Sequence, residues 1–164
     1  MNDNIHPSLQ AMAAVERVQR LFAAQRAACL AQPCPSADER LERLRALKRQ
    51  TQRYQGLLSE AMSTDFGFRP AAESKMLDLL GSVLEARHAI AHLRRWMKPS
   101  RRSTELLFLG NSLKVTYQPK GVVGVIVPWN FPIYLAMGPL VTALAAGNRV
   151  MIKMSEVTPA TNAV

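Results

Sequence analysis

Gly121-Val122-Val123-Gly124-Val125-Ile126-Val127 is the stretch that decides the fold. A nearly unbroken β-branched run of this kind fits a strand covered on both faces, as in a parallel sheet. Downstream, Ile133 to Ala146 reads as a helix closed by Gly147-Asn148, and Arg149 to Lys153 reads as a second buried strand. Strand, helix, strand is a βαβ unit, and its crossover should be right-handed. The span from Gly121 to Asn148 carries no charge and is long enough to cross a bilayer. Pro128, Pro132, Pro139 and the central Trp129-Asn130 pair instead divide it into strand, turn and helix. The expectation is therefore an α/β chain without a membrane span, placed in the cytoplasm.

Working back from the strand, Thr104 to Leu109 and Ser112 to Gln118 flank Gly110-Asn111 and read as a β-hairpin. Pro70 to Met97 reads as a helix with Met76, Leu80, Val83, Leu84, Ile90 and Leu93 on its apolar face. Asp65-Phe66-Gly67 reads as a loop in which Gly67 is free to take a positive φ; no other kinase motif accompanies the tripeptide. Ser36-Ala37-Asp38-Glu39 is a capping box. It opens a helix whose stripe runs through Leu41, Leu44, Leu47, Tyr54, Leu58 and Ala61. Upstream, Pro7 to Ala31 reads as a helix with Val15, Val18, Phe22 and Cys29 on one face, ended by Pro33 and Pro35. Beyond the βαβ unit, Thr158-Pro159 can open another helix.

The chain has 164 residues, 48% of them hydrophobic and 20% charged, which suits one domain with a real core. Its formal charge of +9 raises the question of nucleic acid. Much of that charge lies on Arg40, Arg43, Arg45, Lys48, Arg49 and Arg53, and on Arg94, Arg95, Lys98, Arg101 and Arg102. No aromatic residues interleave with them as stacking platforms, so a solvated helix face and a basic loop are the better reading. Met1 to Pro7 lacks the charged-then-apolar layout of a secretory signal. Cys29 and Cys34 are spaced wrongly for a redox pair or a zinc knuckle. His88 and His92 share a helix face but have no acid between them and no third ligand in view, so no metal site is expected.

Two clusters fall just beyond the carboxyl ends of the two parallel strands, where ligands bind in open sheets. They are Pro128-Trp129-Asn130-Phe131-Pro132 and Lys153-Met154-Ser155-Glu156. Asn130 is an amide inside a long apolar segment. It can donate to a developing oxyanion, or it can cap the following helix. Lys153 and Glu156 can grip hydroxyl groups, or they can be an ordinary exposed pair.

The order and spacing of several segments resemble the aldehyde dehydrogenase superfamily through about forty residues. These are Pro119-Lys120-Gly121-Val122-Val123-Gly124, then Pro128 to Pro132, then Ala145-Ala146-Gly147-Asn148-Arg149-Val150, then Lys153-x-Ser155-Glu156 with Thr158-Pro159. His92-Leu93-Arg94-Arg95-Trp96-Met97 resembles the coniferyl-aldehyde dehydrogenase branch, near the class 3 enzymes. The resemblance implies that Asn130 donates its amide to the carbonyl oxygen of an aldehyde as a thiohemiacetal forms. It implies that Lys153 and Glu156 hydrogen-bond the adenosine ribose of NAD, with NADP also possible, and that Trp129 lines the cofactor cleft. Phe131 and Leu135 would face the substrate tunnel. The family carries Pro where this chain has Met154, which loosens a loop but removes no ligand.

The same resemblance divides the chain into 1–100, a helical part of the cofactor-binding domain; 101–119, a hairpin of the oligomerisation domain; and 120–164, the start of a Rossmann-like NAD-binding sheet. The catalytic domain has no counterpart here, and the family's glycine-bearing phosphate turn, general-base Glu and nucleophilic Cys, which lie further along, cannot be placed in this sequence. Partners implied are a small-molecule aldehyde and, for the complete enzyme, further copies of itself; no nucleic acid and no membrane are implied. An alternative is a non-catalytic, truncated interaction module that binds homologous subunits or anions through its basic face.

Overall fold

The computed structural model describes residues 7–164, and their side chains from residue 11 onward. The reading of Met1 to His6 lies outside the described residues. Four longer helices precede the first strands: α1 (Pro7–Ala31), α2 (Ala37–Arg53), α3 (Gln55–Asp65), and a run made of α4 (Ala71–Glu73), a π-helical stretch (Ser74–Leu80) and α5 (Gly81–Trp96). β1 (Ser100–Arg102) and β2 (Leu113–Val115) pair antiparallel. β3 (Val122–Ile126), α6 (Pro132–Ala145) and β4 (Arg149–Lys153) form the expected βαβ unit, and α7 (Pro159–Ala163) follows. β3 and β4 are parallel, in a register that runs from Val122 opposite Arg149 to Ile126 opposite Lys153.

The capping box at Ser36 is present in both directions. Glu39 N–H donates to Ser36 Oγ at 3.3 Å, and Ser36 N–H donates to Glu39 Oε2 at 2.7 Å. Gln32 adds a 2.6 Å bond to Glu39 Oε1. With Gln32 and Ser36 as donors, the Glu39 carboxyl is held down at about 2.

The core lies where α2, α5 and α6 meet. Leu41, Leu44, Ala86, Leu93 and Val141 pack there, and Leu44 is fully buried. A second cluster, Leu58, Met62, Leu79 and Ile133, joins α3 and the π-helical stretch to the start of α6. A third, Val125, Val127 and Ala136, seats α6 on β3.

Several expectations are corrected. The helical stripe through Tyr54 is broken, because Tyr54 leaves helical geometry at φ −91°, ψ 4° and separates α2 from α3, with its ring exposed. On the long α4–α5 run, the π-helical stretch shifts the face that meets the core. Leu79, Ser82, Ala86, Ala89 and Leu93 are buried, at alternating spacings of three and four, whereas Met76, Leu80 and Leu84 face outward. Thr104 to Leu109 is not a strand. Leu106–Phe108 forms a 3₁₀ turn, and the strand opposite Leu113–Val115 is Ser100–Arg102. Gly110 does take a positive φ of 96°, but within a long loop rather than a two-residue turn. Arg40 is not on the solvent face. It is buried, and its guanidinium donates to Pro35 O at 2.9 Å and to Ala145 O at 3.1 Å, closing the carbonyl end of α6.

The expectation that the strands are covered on both faces holds for only one face. α6 covers Val125, but Ile126 is 83% exposed. On that other side α1 crosses the sheet. It is seated at one end, where Arg149 Nη1 donates to Gln25 Oε1 at 3.3 Å. Further along, Val18, Leu21 and Phe22 stand across an open trough of about 1000 Å³ from Ile126 and Ile152. The apolar face of α1 is therefore largely exposed.

Candidate active site at the carboxyl edge of the sheet

The parallel register determines where the two clusters sit. Val127 N–H donates to Lys153 O at 3.0 Å, so both strands finish level with each other. The Pro128–Pro132 turn leaves β3 and the Met154–Thr158 turn leaves β4 along one edge. At the opposite end, Asn148 Oδ1 accepts from Lys120 N at 2.7 Å and from Gly121 N at 3.0 Å, and Arg149 N–H donates to Gly121 O. Gly147 makes that junction possible, with φ at 86°, and a Cβ there would lie 2.5 Å from Arg40 Cζ. Asn148 thus fixes the register that levels the two clusters. In the sequence Asn148 stands out only as part of a helix stop and of the Ala145–Val150 segment that carries the family resemblance.

Asn130 is exposed, and its side chain does not cap α6. The N-cap of α6 is Phe131, which offers no side-chain acceptor. That duty falls to Asp78, from the π-helical stretch. Asp78 Oδ1 accepts from Ile133 N at 3.2 Å and from Tyr134 N at 3.0 Å. Asp78 is fully buried. Its other oxygen lies 3.0 Å from Arg69 Nη2, an ion pair whose alignment falls short of a hydrogen bond. Burial pushes the Asp78 carboxyl up, against the pull of the Tyr134 amide, the Arg69 charge and the Ile133 amide. The bonds of Asp78 to Ile133 and Tyr134, and of Arg69 to Asn130, span more than fifty positions, so no local pattern in the sequence announces them.

Trp129 is 55% exposed, with its ring 6.3 Å from that of Phe66. Phe131 is half-buried beneath the guanidinium of Arg69. Leu135 is half-buried, packed on Val125, Val127 and Ala136. Lys153 donates to Glu156, both side chains are exposed, and that bond holds Glu156 below the usual carboxylate range. Glu156 stands on a tied turn: Ser155 O accepts from Thr158 Oγ1 at 3.2 Å and from Asn162 Nδ2 at 2.6 Å. The structure thus sets Trp129, Asn130, Lys153 and Glu156 on one exposed edge. Phe131 and Leu135 lie further toward the interior.

Elsewhere, His88 and His92 stack with each other and with Trp96, at centroid distances of 4.2 to 5.7 Å. Among the described residues, no three His, Cys, Asp or Glu side chains are grouped to hold a metal ion. No helix among them is long and apolar enough to cross a membrane.

Residues 8–164 match the model of the aldehyde dehydrogenase family. The chain belongs to that family. Over 152 residues it is 49% identical to a probable coniferyl aldehyde dehydrogenase of Pseudomonas aeruginosa, covering 93% of this chain and 32% of that relative. Among solved structures it resembles the substrate-bound AldH of Staphylococcus aureus, with a TM-score of 0.84 and 28% identity over 88% of this chain and 31% of that one. It also resembles PnpE in complex with nicotinamide adenine dinucleotide, with a TM-score of 0.76 and 30% identity over 89% of this chain and 29% of that one. The chain therefore spans about a third of the length of the aldehyde dehydrogenases it matches, and its mixed α/β fold is that of their N-terminal portion.

Proposed function

We propose that the complete protein oxidises an aldehyde, of the aromatic coniferyl type, to its carboxylic acid with NAD as the hydride acceptor. The observation that carries this reading is the shared edge. One parallel pair presents an unpartnered Asn amide and a Lys–Glu pair on adjacent turns. Asn130, free of the helix cap, donates its side-chain N–H to the aldehyde oxygen as negative charge develops there. Such a donor costs no reorganisation when it is already in place, and its turn is anchored from below by the bonds of Asp78 to Ile133 and Tyr134. Phe131 and Leu135 shape the apolar approach for the substrate.

The edge also suits the adenosine half of a dinucleotide. Ile126 and Trp129 expose apolar surface there, and Lys153 and Glu156 supply a donor and an acceptor for vicinal hydroxyls. The nicotinamide cofactor, when bound, accepts the hydride. Glu156 favours NAD over NADP, because its charge opposes a 2′-phosphate. The β1–β2 hairpin belongs to the oligomerisation domain of the complete enzyme, and the helices with β3 and β4 belong to the cofactor-binding domain. The names of the relatives support the substrate class, and the NAD-bound PnpE structure supports the cofactor.

The complete protein should reduce NAD⁺ in the presence of coniferyl aldehyde, with a higher kcat/KM than for NADP⁺. Glu156→Gln should narrow that ratio. An unchanged ratio removes Glu156 from the cofactor site, and failure to reduce either cofactor with any aromatic aldehyde contradicts the reading as a whole.

A further inference from the structure

The segment from Asp65, the last residue of α3, to Arg69 touches the Asn130 turn and the helix that follows the Glu156 turn, through different residues. At its start, Asp65 accepts from Ala160 N at 2.8 Å and from Thr161 N at 2.7 Å, pinning the helix that follows the Glu156 turn. Burial pushes the Asp65 carboxyl up, but the bonds from Thr161 and Ala160 outweigh it and hold it below its ordinary range. In the middle, Gly67 reverses the chain at φ 71°. At its end, Arg69 is buried, with its guanidinium 5.1 Å from the ring centroids of both Phe66 and Phe131. Its Nη1 donates to Asn130 O at 3.4 Å, its Nε donates to Glu73 at 3.2 Å, and its Nη2 faces Asp78. Asp78 in turn holds the first amides of α6, immediately after the Asn130 turn, and it sits on a π-helical stretch, a device found often at functional sites.

Building this cluster is costly. A buried ion pair is repaid only if its geometry and its remaining hydrogen bonds are good. Here, apart from the bond of Arg69 to Glu73, the polar contacts of the pair lead to the Asn130 turn or to the helix that carries it away. A guanidinium stacked between two rings has a fixed plane, which an ammonium cannot reproduce.

We propose that residues Asp65 to Arg69 are a positioning clamp for this edge. Arg69, backed by Asp78, sets the Asn130 turn, and Asp65 sets α7 and, through it, the turn that follows Lys153 and carries Glu156. This rests on the assignment of Asn130 and Lys153–Glu156 above. Neither Arg69 nor Asp65 touches substrate; each acts through a turn.

The test is a split between kinetic constants in the complete enzyme. Arg69→Lys keeps the charge opposite Asp78 but loses the stacked plane and the reach to Asn130 O. It should lower kcat about 10- to 100-fold, the cost of a catalytic group displaced by a fraction of an ångström to an ångström, with the NAD⁺ dissociation constant unchanged. Asp65→Ala should weaken NAD⁺ binding about fivefold, the size of a lost helix cap, and Asp65→Asn should restore only part of it, because its single amide oxygen replaces one of the two carboxylate acceptors. Amide exchange supplies a readout independent of turnover. Ala160 and Thr161 should exchange faster in Asp65→Ala and at the parental rate in Arg69→Lys. Phe66→Leu keeps every charge and removes one ring of the stack. It carries the kcat expectation if Arg69→Lys does not fold, and a parental kcat in that variant overturns the proposal. A normal kcat in Arg69→Lys beside a crippled Asn130→Ala overturns the clamp alone. A normal kcat in Asn130→Ala overturns the role of Asn130 and the clamp with it.

Discussion

The two sides of α6 are built to different degrees of completion. Toward α2 and α5 its residues meet a closed core, in which Leu44 and Leu93 are sealed and Arg40 ties off the last carbonyls. Beyond it, past the sheet, lies a trough walled by α1, with Ile126 almost fully open to solvent and Phe22 half so. The closed side is satisfied by residues of this chain. The open side is a pair of strands whose outer face is only partly crossed by α1 among the described residues, and an apolar surface of this kind suits a contact with further protein. The candidate edge lies at the rim between the two, tied to the core below and open above.

The largest effect should come from the closed side. In residues 1–164 expressed alone, Leu44→Ala should cost about 2–5 kcal/mol of unfolding free energy by urea titration. Ile126→Ser should change it by no more than about 0.5 kcal/mol and should shift the chain to smaller particles in light scattering, since an apolar patch is removed. Equal losses in the two variants would break the contrast, because they would mean that the trough is closed in solution.

Gly147 and Gly56 sharpen it at the level of backbone. Gly147 combines a φ of 86° with the Arg40 guanidinium where a Cβ would go, so Gly147→Ala should cost about 1–3 kcal/mol. Gly56 lies within α3 with no atom within 4 Å of a built Cβ, so Gly56→Ala should stabilise by up to about 1 kcal/mol. Thermal midpoints of the two variants should move in opposite directions, and movement in the same direction would contradict the placement of Arg40.

The smallest effect belongs to the capping box. The Glu39 carboxyl titrates at about 2 in the folded chain, below its ordinary 4.5, so it stabilises the ionised form. That contribution is present above the ordinary value and is lost as pH falls from there toward 2. Glu39→Gln should therefore lose this small contribution at neutral pH, flatten the acid side of the stability profile, and converge on the parent toward pH 2. A variant whose profile below pH 4.5 overlays the parent would remove this contribution.

What the sequence revealed followed the range of each interaction. The capping box is four consecutive residues and was legible, as was the βαβ unit, whose β-branched run, helix and glycine stop are local patterns. The family resemblance points to Asn130, Lys153 and Glu156, and the register of β3 with β4 sets them on one edge. The residues that hold that edge were not legible. Asp78, Arg69 and Asn148 act on partners that folding alone brings near, and Arg40 was hidden in a basic run that otherwise looks like a solvent face. The hairpin was misplaced for the opposite reason. Gly110-Asn111 is a strong local signal, but the pairing of Ser100–Arg102 with Leu113–Val115 is settled beyond it.

The central claim is that Asn130 stands ready at the sheet edge as a donor rather than a cap. In the complete protein, kcat and the NAD⁺ dissociation constant of Asn130→Ala should be measured together with an aromatic aldehyde. The account predicts a fall in kcat of roughly 10²–10³-fold with cofactor binding unchanged, the signature of a lost oxyanion donor. A parental kcat would contradict it.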